Sequence, residues 1–108
     1  MNWSDEYSEE FDQLRKNRVK ISFYKYGSVK VNYANGLIAA IPTAERCIEK
    51  YRETGNTEYL CDAANYLMFE FMYPKIEGAH FRATGSAESA GVVGMGIKQM
   101  EESCNDRD

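Results

Sequence analysis

The chain has one histidine, His80, so histidine-based chemistry is confined to a single position. A Ser-His-Asp arrangement would draw its nucleophile from Ser86 or Ser89, the serines that follow. Neither lies in the glycine-elbow motif that holds a catalytic serine on a sharp, exposed turn. Cys47, Cys61, His80 and Cys104 are ligand types that zinc accepts, and two adjacent helices could bring Cys47 and Cys61 beside each other. Cys47, Cys61 and His80 are the candidate zinc set. The short CxxC spacing that identifies such sites is absent, and free cysteines inside a core behave as small apolar groups.

A second group is carboxylate-based. Glu45 and Glu49 on one predicted helix could face Asp62 on the next, with Asn65 and Glu70 further along it. Helical nucleotide pyrophosphatases bind Mg²⁺ with acids of this kind, but repeated as EExxE and ExxD pairs, which this chain lacks. The third group is the stretch from Ala79 to Gly91, where His80, Phe81, Arg82, Thr84, Ser86 and Ser89 combine a cation, a ring, hydroxyls and glycine-freed backbone amides. Arginine makes paired bonds to phosphate or carboxylate, and free amides cradle the same anions. The spacing of a phosphate-binding Walker loop is missing. These six residues, with Asn65 from the preceding helix, form the candidate ligand set. No catalytic centre follows from any of the three groups, so the expected activity is binding, not turnover.

The elements that must position these residues follow from periodicity. Trp3, Tyr7, Phe11 and Leu14 recur at steps of four, four and three, which predicts an amphipathic helix from about Ser4 to Lys16 with Ser4 as its cap. Its aromatic stripe must bury on the chain's own core or on a second copy. From Arg18 the period becomes two: Val19, Ile21 and Phe23, then Val29, Val31 and Tyr33, alternate with polar residues. That pattern, with a glycine at the reversal Lys25-Tyr26-Gly27-Ser28, predicts a β-hairpin. A lone hairpin is marginal in water and needs a helix or strand against it.

Leu37, Ile41, Ala44, Ile48 and Tyr51 return to helical spacing, and Pro42 places the helix start near Ile41. Gly55 suits a left-handed cap, and Asn56 or Thr57 can cap a following helix, about Thr57 to Tyr73, which folds back antiparallel. Leu60, Cys61, Ala64, Leu67, Met68, Phe71 and Met72 make this the most apolar segment and the expected central helix, stopped by Pro74. Lys75 to Gly96 predicts no regular structure, and Ile97 to Ser103 a short helix before an acidic tail. The expected class is α+β: a helix, a β-hairpin, a helical hairpin, a glycine-rich loop and a short final helix in one domain.

At 108 residues, 44% apolar and 13% aromatic, one core can form without metal or disulfide support. No run approaches a membrane span, and Met1 to Glu10 is polar and acidic, so neither an anchor nor a signal peptide is expected. Three widely spaced cysteines point to free thiols in a reducing, cytoplasmic compartment. The net charge of −4 is uneven: five acids (Asp5, Glu6, Glu9, Glu10, Asp12) against two bases within residues 1–16, and four against one within 101–108. Acidic ends repel phosphate backbones, which argues against general nucleic-acid binding and in favour of a basic protein surface. Those five N-terminal acids are the candidate partner-binding residues.

Two blocks carry a resemblance. Tyr51-Arg52-Glu53-Thr54-Gly55-Asn56-Thr57-Glu58-Tyr59-Leu60, continuing through Asp62-Ala63-Ala64-Asn65-Tyr66 to Glu70-Phe71-Met72-Tyr73-Pro74, resembles a family of small phage and prophage proteins of Gram-positive bacteria. The stretch from His80 to Gly91 is similar to that family's second block, which usually has Asp at the position of Gly85 and Pro at that of Ala90. The resemblance implies a phage accessory protein in the host cell and an inhibitor of host defence. Two modes fit it: an anti-CRISPR protein that binds a Cas9-type effector through its acidic ends, or a sponge holding a cyclic-nucleotide signal through Arg82, Thr84 and the glycine loop. A third is a structural or regulatory module acting as a homodimer.

Overall fold

A computed structural model describes residues 1–91, and among those residues it is all-helical, with 67% helix and no strand. In order these are α1 (Trp3–Glu6), α2 (Glu9–Tyr26), α3 (Val29–Ala34), α4 (Ala40–Thr54) and α5 (Glu58–Met72), followed by one 3₁₀ turn, Ser86–Glu88. Gly94, Gly96, Cys104, the expected final helix and the acidic tail lie outside the described residues.

The α+β expectation is overturned, because the segment expected to form the hairpin is helical. Ser8 is extended and its side chain accepts from the Phe11 amide at 2.9 Å, which starts α2. The costly step in a helix is this first turn, and each residue added afterwards gains a hydrogen bond at low cost. Seven strong helix formers between Glu9 and Arg18 (Glu9, Glu10, Gln13, Leu14, Arg15, Lys16 and Arg18) carry α2 into the alternating stretch, which it crosses to Tyr26. Among the described residues no strand offers a partner edge, and an unsupported hairpin is marginal in water. Gly27 (φ 85°) then ends α2, and Ser28 caps α3 by accepting from the Val31 amide at 3.3 Å. The Gly-Ser pair read as a strand reversal is a helix stop followed by a helix start.

The expected Ser4–Lys16 helix is likewise divided. Asn2 caps a single turn, and Tyr7 and Ser8 are extended between α1 and α2. The helical hairpin follows its sequence signals closely. Pro42 sits in the first turn of α4, where its missing N–H costs nothing. Gly55 closes α4 in the left-handed conformation (φ 72°, ψ 7°), and Asn56 accepts from the Glu58 amide at 3.0 Å to begin α5.

Both α4 and α2 pack on α5. Small side chains are buried on both helices of this pair, Ala40 and Ala44 on α4 and Cys61 and Ala63 on α5. A second cluster joins Phe69 of α5 to Tyr33 of α3 and Ala40, with Val19, Val29 and Ile38 around it. Tyr33 is also held by Tyr73, ring centres 5.7 Å apart, and by Lys75, whose ammonium lies 4.7 Å from the ring centre. The rest of the predicted α5 face divides: Leu67, Phe71 and Met72 remain at least half exposed.

Candidate functional site

The N-terminal arm is the most unusual surface. Trp3 and Tyr7 stack in parallel at 5.0 Å, yet Trp3 is 56% exposed and Tyr7 43%. Phe11 and Leu14 continue the stripe onto α2 and are exposed too, so among the described residues the aromatic stripe is not buried on the core. Asp5, Glu6, Glu9 and Glu10 lie exposed among these rings. The fifth acid, Asp12, turns inward: it accepts from the Tyr7 hydroxyl and from Arg15 at 3.2 Å.

Those two donors, the Tyr7 hydroxyl first, hold the Asp12 carboxyl below its ordinary value, and the same bond raises the Tyr7 phenol. A lowered carboxylate contributes stability that is fully present above its unfolded value and is lost as pH falls through the folded one. The only tryptophan reports on this arm. Titrating from neutral pH to below the ordinary aspartate range is expected to unstack Trp3 from Tyr7, read as a change in tryptophan emission. Asp12→Asn should remove that acid transition, and a transition unchanged in the variant would show that another group controls the arm.

The second candidate lies in the groove between α2 and α4, over α5. Arg18 reaches across from α2 and donates twice to Asp62, at 3.0 and 3.1 Å, with Glu58 at 3.5 Å beside them. Asn65, 5% exposed, donates from Nδ2 to the Arg15 carbonyl at 3.0 Å, while its Oδ1 has no partner among the described residues. A groove of about 290 Å³ runs here, bordered by Lys25, Tyr26, Thr43, Cys47, Asn65 and Tyr66. Burial and the neighbouring Asp62 raise both Cys47 and Cys61 thiols, so they are protonated and poor nucleophiles at neutral pH.

The sequence-derived ligand set is not brought together. Asn65 belongs to this groove, whereas His80 and Phe81 border a different, apolar one of about 420 Å³ with Ile41, Leu67, Phe71 and Ile76. The His80 Nδ1 lies 2.8 Å from the Gly78 carbonyl. Arg82 pairs with Glu88 at 2.5 Å, which lowers the Glu88 carboxyl, so the chain's own acid occupies the seat an anionic ligand would take. Thr84, Ser86 and Ser89 are exposed along the same segment.

Among the described residues no three His, Cys, Asp or Glu side chains converge as metal ligands. Cys47 borders the groove over α5 that holds Asn65, whereas His80 borders the apolar one. Glu49 pairs with Arg52 on the outer side of α4, near Glu45, while Asp62 is taken by Arg18. No helix among the described residues is long and apolar enough to cross a membrane. Sequence reading missed Arg18 and Lys25, because a strand assignment for 18–26 hides which of its residues face α5, and it missed Tyr66, which borders the same groove from α5. Extending the four-and-three spacing past Lys16 would have placed Arg18 and Asp62 on facing helices. Comparison with protein-family models, curated proteins and solved structures finds no match.

Proposed function

We propose that this chain is a non-enzymatic inhibitor that occupies a basic surface of a host-defence effector protein, stoichiometrically, inside the host bacterial cell. The observation that carries this reading is the N-terminal arm, where the exposed, stacked Trp3 and Tyr7 lie among Asp5, Glu6, Glu9 and Glu10. Tryptophan and tyrosine are the side chains that most often dominate interface energies, and a ring that is already stacked loses little freedom on docking. Acids around them steer the encounter towards positive charge and reject like-charged partners. The phage-family resemblance of residues 51–74 and 80–91 supplies the setting. A Cas9-type effector fits the chemistry, because it holds its heteroduplex in a positively charged channel that a compact acidic arm can block.

The test is DNA cleavage by a purified Cas9-type effector with the chain added in increasing amounts. Inhibition should saturate near equimolar ratio and weaken with salt. The Trp3→Ala, Tyr7→Ala double variant should raise the half-inhibitory concentration by at least about 30-fold, the scale of an interface hot spot. Lysines at Asp5, Glu6 and Glu9 should slow association. Undiminished cleavage in large excess of the chain would overturn the Cas9-type assignment, and repeated turnover of any substrate would overturn the non-enzymatic reading. A second reading, sequestration of a cyclic nucleotide, is favoured by the unpartnered Asn65 oxygen beside Lys25 and Tyr66. Thermal stabilisation by such a nucleotide, with no effect on the effector, selects it.

A further inference from the structure

Three helices each turn one polar stripe into the groove over α5. On α5 these are Asp62, Asn65 and Tyr66, on α2 Arg18, Ser22 and Lys25 at steps of four and three, and on α4 Thr43 and Cys47, four apart. Residues three or four apart share a helix face, so each set looks into the same space. The groove is graded along α2. At one end Arg18 is neutralised by Asp62 and Glu58. Lys25, about 10 Å of helix further on, has no carboxylate partner among the described residues. Asn65 belongs to the Arg18 end, because its Nδ2 is committed to the Arg15 carbonyl, and its buried Oδ1 lacks a donor among the described residues. Between the two ends stand the hydroxyls of Ser22 and Tyr66. A second hollow of about 310 Å³ adjoins the first and shares Ser22, Tyr26, Tyr66 and Phe69 with it.

We infer that this groove holds a nucleoside monophosphate whose base carries an exocyclic amine, with the amine donating to Asn65 Oδ1 and the phosphate against the Lys25 ammonium. An amide oxygen only accepts, so the ligand must bring an N–H to the Asn65 end, and doing so removes the cost of a buried acceptor left alone. The unpaired cation calls for negative charge at the other end. Tyr66 and Phe69 offer a flat base the ring surface on which bases stack, and the Ser22 and Tyr66 hydroxyls suit a sugar between base and phosphate. The order acceptor, hydroxyls, cation is the order amine, ribose, phosphate, over a length that a nucleotide spans. The reverse orientation would set the phosphate beside Asp62 and Glu58. A fatty anion would satisfy Lys25 and leave the Asn65 oxygen without its donor. The space is of the size that small-ligand sites occupy. This inference rests on the groove of the second reading above and not on the effector, and it adds which bases are accepted and which residue takes each end.

Calorimetric titration of the 108-residue chain with adenosine 5′-monophosphate tests it. Saturable binding is expected, weakened at least about tenfold for purine riboside 5′-monophosphate, which lacks only the amine and so leaves the Asn65 oxygen alone. Lys25→Ala should weaken the nucleotide about tenfold and leave adenosine, which has no phosphate, unchanged. Lys20→Ala, exposed on the same helix but outside the groove, should alter neither. No saturable heat from adenosine monophosphate or its cyclic form at about 1 mM overturns both this inference and the second reading. Binding that is indifferent to the missing amine, or to Lys25→Ala, overturns the inference alone and leaves nucleotide sequestration standing.

Discussion

Phe69→Ala abolishes or severely weakens cooperative thermal unfolding, whereas Phe71→Ala, two residues further along the same helix, leaves it within about 0.5 kcal/mol of the original. Phe69 is 7% exposed and Phe71 is 74% exposed. Phe69 joins α5 to Tyr33 of α3 and to Ala40, and meets Tyr66 edge-on with ring centres 5.7 Å apart. Removing a buried phenylalanine costs about 3–5 kcal/mol, from lost burial and from the void left behind. Small domains have total stabilities towards the lower end of about 5–15 kcal/mol, so one such loss consumes most of it. Circular dichroism melts of the two variants decide the matter. Equal effects would mean that Phe69 is not the anchor of α3 on α5.

Ala44→Leu is the second large effect and acts in the opposite sense, by adding volume. Ala40 and Ala44 are 1% and 2% exposed on α4, the helix that packs most extensively on α5. Two helices approach this closely only through small side chains, so a leucine must push them apart or adopt a strained rotamer. The expected cost is about 1–3 kcal/mol, read as a lower urea midpoint. Helix propensity does not confuse the result, since alanine and leucine are both strong helix formers. An unchanged midpoint would show that α4 and α5 are further apart than their buried alanines imply.

The helical hairpin was legible because each of its signals is local. Pro42 is tolerated only in a first turn, Gly55 adopts a left-handed cap, and Asn56 bonds the next helix's first amides. None of these needs a distant partner. The stretch 18–33 was misread because its signal is not local in that sense. Val19, Ile21 and Phe23 alternate, but alternation is satisfied only when another strand is there to pair, and the segment adjoins a helix already nucleated at Ser8. The structure also divides the candidate ligand set in a way that sequence adjacency does not show. His80, Phe81, Arg82, Thr84, Ser86 and Ser89 are neighbours in sequence, but Arg82 is paired with Glu88 and His80 turns to Gly78.

By itself the sequence determined that the middle of this chain is an antiparallel pair of helices and that its N-terminus is acidic and aromatic. Only the tertiary structure decided which side of α2 turns inward. Apolar residues lie all round that helix, so hydrophobicity does not choose between its faces. The choice is made by Asp62 and Met68 on α5, which accept from the Arg18 and Arg15 guanidinium groups, and by Asn65, which donates to the Arg15 carbonyl. Specific polar contacts at three points along two helices orient α2, and in doing so they leave Leu14, Ile21 and Tyr24 facing outward.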